Sequence, residues 1–98
     1  MIEAFQYINK AFESKVRLGI MAILMVNEEA DFNFLKEQLS LTDGNLASHT
    51  RALEELGYIV CNKSFVGPTP RTVLQATPQG REAFKSHIEA LEKFLKSK

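Results

Sequence analysis

The chain has a single cysteine, Cys61, among its 98 residues. One cysteine cannot form a disulfide within the chain, and an unpaired thiol is typical of the reducing cytoplasm. The longest apolar stretch, residues 18–26, is about half as long as the roughly 18 residues of a membrane-spanning helix. No basic segment precedes an apolar one at the N-terminus, so no signal peptide is predicted. We therefore expect a cytoplasmic protein without a membrane partner.

The sequence also lacks an excess of either acidic or basic residues. Twelve Lys and Arg balance twelve Asp and Glu, and the sequence pI is near 6.7. Proteins that bind nucleic acid often carry a basic excess, because neutralising phosphates releases counterions. Composition alone therefore does not indicate such a partner. The hydrophobic fraction of 45% and the seven Phe do indicate one folded domain spanning residues 1–98.

Patterns for catalysis or metal binding are missing as well. His49, His87 and Cys61 fall on different predicted elements, so no pair of them has metal-ligand spacing. The sequence has no Gly-rich phosphate loop and no nucleophile elbow. We therefore predict no enzyme activity, no metal site and no cofactor.

The most informative pattern that is present is a helix over residues 42–57. Thr42 is predicted to cap its start, and Asn45 to return a side-chain hydrogen bond as in a capping box. Gly57 supplies the left-handed residue that lets the chain leave the helix. Both ends of this helix are therefore marked in the sequence.

The two faces of this helix differ. Leu46, Leu53 and Leu56 share an apolar face, with His49 and Thr50 at its edges. The opposite face is small and polar near its start, which lets the helix approach another surface closely. A short helix over residues 34–39 precedes it through a tight turn. This order is that of a helix-turn-helix protein, whose second helix enters the DNA major groove.

A hairpin is predicted to follow the helix. Two β-branched and aromatic runs, residues 58–65 and 72–77, flank a loop rich in Gly and Pro at residues 66–71. Thr77 as cap and Pro78 in the first turn then open a last helix. Helix-turn-helix, hairpin and helix together are the winged-helix arrangement.

The predicted fold is therefore mostly α with a small β-hairpin (α+β), with extra helices at both ends. Its parts are the helix-turn-helix over about 34–57, the wing over about 58–77, and terminal helices over about 2–12 and 78–96. A further helix is predicted between the N-terminal helix and the helix-turn-helix, and Ser14 is predicted to cap its start. Residues 31–33 are predicted to form a small strand that pairs with the hairpin, and Asn33 to cap the helix after it.

The chain resembles a known family at the segments just described. It is similar to small bacterial and archaeal winged-helix regulators of the MarR and ArsR groups over about residues 14–96, and the residues that carry the similarity are 39–46, 48–49, 53–59 and 72–81. Ala47 stands where relatives often have Ser or Thr. The clustered cysteines of ArsR-type metal sensors are missing from the segment before the helix, so metal sensing there is not expected.

The resemblance implies a homodimeric transcriptional regulator that binds duplex DNA at an imperfect palindrome, either as a repressor or as a ligand-responsive switch with an unidentified small-molecule effector. The alternative is a winged helix that serves as a protein-interaction module without DNA binding, which the neutral charge favours. On the helix, the candidate DNA contacts are Thr42, Asp43, Asn45, Ala47, Ser48, His49 and Arg51, and on the wing they are Lys63, Thr69 and Arg71. His49 equally fits a partly buried packing residue.

Apolar stripes on the terminal helices suggest how two copies pair. The residues expected at this interface are Phe5, Ile8 and Phe12 near the N-terminus and Phe84, Ile88, Leu91 and Leu95 on the last helix. The alternative is that both helices fold back on their own core. The resemblance favours the dimer, since MarR-like relatives pair through terminal helices.

Overall fold

A computed structural model of the chain describes residues 2–96. The elements are α1 (Ile2–Gln6), a 3₁₀ helix (Lys10–Phe12), α2 (Lys15–Val26), β1 (Ala30–Asp31), α3 (Phe32–Leu39), α4 (Asp43–Glu55), β2 (Ile59–Val66), β3 (Thr69–Ala76) and α5 (Pro78–Lys96). The strands form one antiparallel sheet in the order β1-β3-β2. The mostly helical winged-helix fold with terminal helices is therefore confirmed.

Short polar side chains cap the helices where the sequence predicted them. Ser14, Thr42 and Thr77 each accept the backbone N–H of the residue three positions on, at 3.3, 3.2 and 2.9 Å. Gly57 ends α4 at a φ of +78°. The second half of the predicted capping box is wrong, because the Asn45 side chain makes no hydrogen bond to the described part of the chain.

The N-terminal segment is not the single helix over residues 2–12 that was predicted. Asn9 interrupts it: its side-chain oxygen accepts the N–H of Ala11 at 2.9 Å and starts the 3₁₀ helix from an extended backbone conformation. An Asn side chain that bonds to nearby backbone competes with helix formation in this way. The periodicity of the apolar residues did not reveal the break.

The start of α3 also lies earlier than predicted. The strand β1 is only Ala30–Asp31, and the N-cap is Asp31 rather than Asn33. An Asp31 carboxylate oxygen accepts the N–H of Asn33 at 3.0 Å. A carboxylate is favoured here because it also faces the positive end of the helix dipole.

The hairpin is longer and its turn tighter than the predicted loop over residues 66–71. Gly67 and Pro68 alone connect the strands, and Gly67 has a φ of +62°, as the first position of a type II′ turn requires. Pro70 lies within β3, opposite Phe65. Proline is tolerated there because β1 reaches β3 only from Val73 onward, so this part of β3 has a free edge.

The core lies between α2, α3, α4, α5 and the inner end of the sheet. Its fully buried large side chains are Ile20, Met21, Leu24, Leu35, Leu46, Leu53, Ile59 and Leu74. Leu56 was predicted to share the buried face of α4 but is exposed, whereas Thr50 is buried and donates its hydroxyl to the Ala47 carbonyl at 3.1 Å. The α4 turn that ends the helix lies beyond the core, which leaves Leu56 outside.

The N-terminal segment is attached to α5 through buried His87. The backbone N–H of Asn9 donates to His87 Nδ1 at 2.9 Å, and the Asn9 amide donates to the Tyr58 hydroxyl at 3.0 Å. Burial lowers the pKa of His87, which favours the neutral ring that an accepting Nδ1 requires. Phe12 packs edge-on against this ring and against Phe84.

The end of α4 and the start of α5 are joined at one point. The Thr77 hydroxyl donates to the Gly57 carbonyl at 2.6 Å, and the Thr77 N–H donates to the Tyr58 carbonyl at 3.0 Å. Gly80 lies against that same carbonyl, and a Cβ at this position would overlap the Tyr58 oxygen. The first turn of α5 can therefore contact the Tyr58 backbone only with glycine at position 80.

This contact predicts opposite effects for two glycines in helices. Gly80→Ala should lower the free energy of unfolding by about 1–3 kcal/mol, because the obstructing atom is backbone and cannot rotate away. Gly44→Ala is the matched control: a Cβ at Gly44 meets nothing within 4 Å, so a gain of about 0.5–1 kcal/mol is expected from helix propensity. Urea denaturation measures both, and equal stabilities for wild type and Gly80→Ala would contradict the packing described.

Candidate nucleic-acid interface

The outer face of α4 presents short polar side chains to solvent. Of the helix residues predicted to contact DNA, Thr42, Asp43, Asn45, Ser48 and Arg51 are exposed, whereas Ala47 and His49 are half-buried. Because Leu46 and Leu53 fix the opposite face in the core, the exposed face is held outward over the whole helix.

The turn that orients α4 is closed by an ion pair. Ser40 ends α3 in the left-handed conformation, at a φ of 54°. Lys36 Nζ of α3 lies 2.9 Å from a carboxylate oxygen of Asp43, the first residue of α4. The acidic group at the start of the exposed face is therefore balanced by a neighbouring cation.

The three predicted wing residues are all exposed, and Thr69 and Arg71 lie on a strand rather than in the predicted loop. Lys63 is in β2, and Thr69 and Arg71 are in β3. Arg71 is already paired: its Nε lies 2.9 Å from Asp31 Oδ2. The hydrogen bond from Arg71 is the main cause that lowers the pKa of Asp31, followed by the bond from the Asn33 N–H. Asp31 was not predicted as part of the site, since its closeness to Arg71 depends on the pairing of β1 with β3.

A cleft of about 310 Å³ separates α4 from the wing. It is lined by Phe32, Ala47, Thr50, Arg51, Glu54, Cys61, Lys63 and Thr72. Arg51 stands on the helix side and Lys63 on the strand side. In residues 2–96, neither of these two cations has a carboxylate within ion-pair distance. The cleft therefore has an unpaired cation on each wall, and with Glu54 also in the lining it keeps one net positive charge.

The thiol of Cys61 lies in this cleft. Its pKa is raised to about 11, first by burial and then by the nearby Glu54 carboxylate. The thiol is therefore protonated near neutral pH and a poor nucleophile.

The residues predicted for a dimer interface separate into three groups by burial. Phe12 and Phe84 are buried in the core of their own chain, with ring centroids 5.3 Å apart, so the fold-back alternative describes these two. Ile8, Ile88 and Leu91 are half-buried. Phe5 and Leu95 are 61% and 80% exposed.

The exposed group lies at the far end of the terminal helices. Phe5 of α1 contacts Phe94 of α5, with ring centroids 6.0 Å apart. Phe94 was missed because it lies beside the predicted stripe rather than on it. The apolar surface there is made by two elements of the chain together.

Two other kinds of feature are absent from residues 2–96. No cluster of three or more His, Cys, Asp or Glu side chains there is arranged to hold a metal ion. No helix in this range combines the length and apolar character needed to cross a membrane.

The chain belongs to the winged helix DNA-binding domain family, whose model matches residues 16–95. The family and the fold are those of DNA-binding transcriptional regulators. An uncharacterized protein of Methanocaldococcus jannaschii is 46% identical over 79 residues, which are 81% of this chain and 86% of that protein.

Solved structures give the same result. A transcriptional regulator homologue from Pyrococcus horikoshii OT3 has a TM-score of 0.86 at 34% identity, over 97% of this chain and 95% of that one. The MepR–DNA complex of S. aureus has a TM-score of 0.77 at 14% identity, over 97% of this chain and 77% of that one, and so shows the shared fold alone. The predicted resemblance to small winged-helix transcriptional regulators is confirmed.

Proposed function

We propose that this protein is a sequence-specific regulator of transcription that binds duplex DNA as a homodimer, as a repressor or a ligand-responsive switch in the cytoplasm. The observation that carries the proposal is the pairing of an exposed, small and polar face on α4 with a cleft that has Arg51 and Lys63 on its two walls. A DNA duplex offers a groove to the polar face of α4 and phosphates to the cations of the cleft.

In this proposal α4 lies in the major groove, with Asn45, Ala47, Ser48 and His49 nearest the bases. The B-form major groove is about 12 Å wide and admits one helix. Short side chains on the exposed face let the helix backbone come close to the base edges. Thr42 and Asp43 lie at the start of the helix, where Lys36 prevents Asp43 from repelling the DNA backbone.

Cations on both sides of the cleft would hold the sugar-phosphate backbone. Arg51 and Lys63 reach it from the helix and from the wing, and Thr69 and Arg71 would contact the DNA from the other face of the hairpin. The Arg71 guanidinium is oriented by Asp31 through its Nε. Its terminal nitrogens remain available to donate to a phosphate. Asp31 is thus proposed as a residue that positions Arg71.

Two copies would pair through the apolar surface made by exposed Phe5 and Leu95 and half-buried Phe94. A two-fold dimer presents two α4 helices to half-sites one helical turn, or about 34–36 Å, apart. The longest dimension of one chain is 56 Å, which is compatible with that separation. The operator is accordingly proposed to be an imperfect palindrome.

A small-molecule effector is the less specified part of the proposal. The related fold of NadR was solved in complex with 4-hydroxyphenylacetate. In the present chain, a depression of about 230 Å³ lies between α1 and α5, beside Tyr7 and Ala90. A ligand bound there would alter the contact between the terminal helices and so the separation of the two α4 helices.

The proposal predicts salt-dependent binding to duplexes selected from a random pool. Affinity should fall steeply with salt, and Arg51→Ala and Lys63→Ala should each make the slope of log K against log salt shallower by about one. Lys85→Ala, an exposed lysine of α5, is the control and should leave the slope unchanged. Fluorescence anisotropy measures all four proteins.

Two results would count against DNA binding at this site. Recovery of no preferred duplex would favour the protein-interaction module instead. Unchanged slopes for Arg51→Ala and Lys63→Ala, with wild-type circular dichroism, would remove the cleft from the DNA interface.

The dimer is tested by sedimentation at micromolar concentration. The wild type should have twice the 11.1 kDa mass of the chain, and Leu95→Asp should be a monomer because the charge would be buried without a partner. Val26→Asp, at a residue of similar exposure on α2, should remain a dimer. A monomeric wild type would overturn the proposed assembly.

A further inference from the structure

The tip of the wing is apolar, and no other element in residues 2–96 covers it. Phe65 is 73% exposed and Val66 is 61% exposed. Phe65 lies opposite Pro70 across the hairpin, while β1 reaches β3 only at Val73 and Leu74. The outer part of the wing is therefore a two-stranded ribbon, and the Phe65 ring does not belong to the core.

The register of the hairpin determines which way Phe65 points. Residues two apart on a strand share a face, so Phe65 continues the face of Cys61 and Lys63. These two residues line the cleft opposite α4. Phe65 is therefore on the α4 side of the wing, about 7 Å beyond Lys63 at 3.3 Å per residue. Val66 is on the opposite face.

The cations of this surface indicate what the tip contacts. Lys36 and Arg71 are each paired with a carboxylate, whereas Arg51 and Lys63 are not. Arg51 and Lys63 outnumber Glu54, the carboxylate that lines the same cleft, so the cleft is net positive and complementary to a polyanionic chain. This step rests on the proposed function: the polyanion is the sugar-phosphate backbone of the duplex whose major groove holds α4. A backbone separates the major from the minor groove, so the wing beyond Lys63 reaches the minor groove.

We propose that Phe65 is an apolar wedge in the minor groove beside each half-site. Its ring packs against deoxyribose and against the edge of a base step, supported by Pro70. Apolar side chains in a minor groove partly unstack a step, and the cost of this deformation depends on the sequence. Phe65 thereby determines a preference outside the segment read by α4, without a hydrogen bond to any base.

The first test compares Phe65→Ala with Val60→Ala on the duplex selected by the wild type. Phe65→Ala should weaken binding about tenfold or more with an unchanged salt slope, because an apolar contact is lost and no phosphate contact is. Val60→Ala removes an exposed apolar side chain at the inner end of β2, away from the tip, and should change affinity less than twofold. Both changes lie outside the core, and thermal unfolding checks that each variant is folded.

The second test changes the minor groove of the flanking segment. An inosine·cytosine pair offers the same minor-groove pattern as A·T, whereas G·C adds the guanine 2-amino group. When a flanking A·T pair is replaced, wild-type affinity should be kept with inosine·cytosine and should fall with G·C. The affinity of Phe65→Ala should be the same with both replacements.

Three outcomes would overturn the wedge: wild-type affinity of Phe65→Ala, an equal loss of affinity with Val60→Ala, or a loss of wild-type affinity when a flanking A·T pair is replaced by inosine·cytosine. Each of these leaves DNA binding itself intact. A wild type that selects no duplex overturns the proposed function and the wedge together.

Discussion

The contact between the Tyr58 carbonyl and the first turn of α5 determines how α4 is presented. Tyr58 directly follows the left-handed residue that ends α4, and its carbonyl accepts the Thr77 N–H while lying against Gly80. The Thr77 hydroxyl both donates to Gly57 and caps α5. The end of α4, the start of the wing and the start of α5 are therefore fixed by one small set of backbone groups. Asn9 adds the N-terminal segment to it through the Tyr58 hydroxyl.

Few charged side chains at the site are unpaired, and the ion pairs determine which ones they are. The chain has no net charge. Within the site, Lys36 is paired with Asp43 and Asp31 is paired with Arg71. At the cleft, Arg51 and Lys63 are unpaired and outnumber Glu54, the carboxylate in the same lining. A neutral sequence is thus compatible with an interface for a polyanion, because binding depends on local charge rather than on the total.

Local signals predicted most of the fold. Ser14, Thr42, Thr77 and Gly57 marked element ends correctly, since a cap is a contact between residues three or four apart. Features that depend on distant residues were missed: the pairing of Arg71 with Asp31 requires the register of β1 on β3. The burial of Phe12 and Phe84 has the same origin, because both were assigned to a partner copy when their partners lie in the same chain.

The central claim is that the exposed face of α4 and the α4 side of the wing hold one duplex together. NMR titration of the labelled protein with a selected duplex at low salt tests it most directly. The account predicts that the largest amide shifts fall in residues 42–51 and 61–71, with small shifts at the end of α5. Large shifts confined to α1 and α5, with residues 42–51 unmoved, would contradict it.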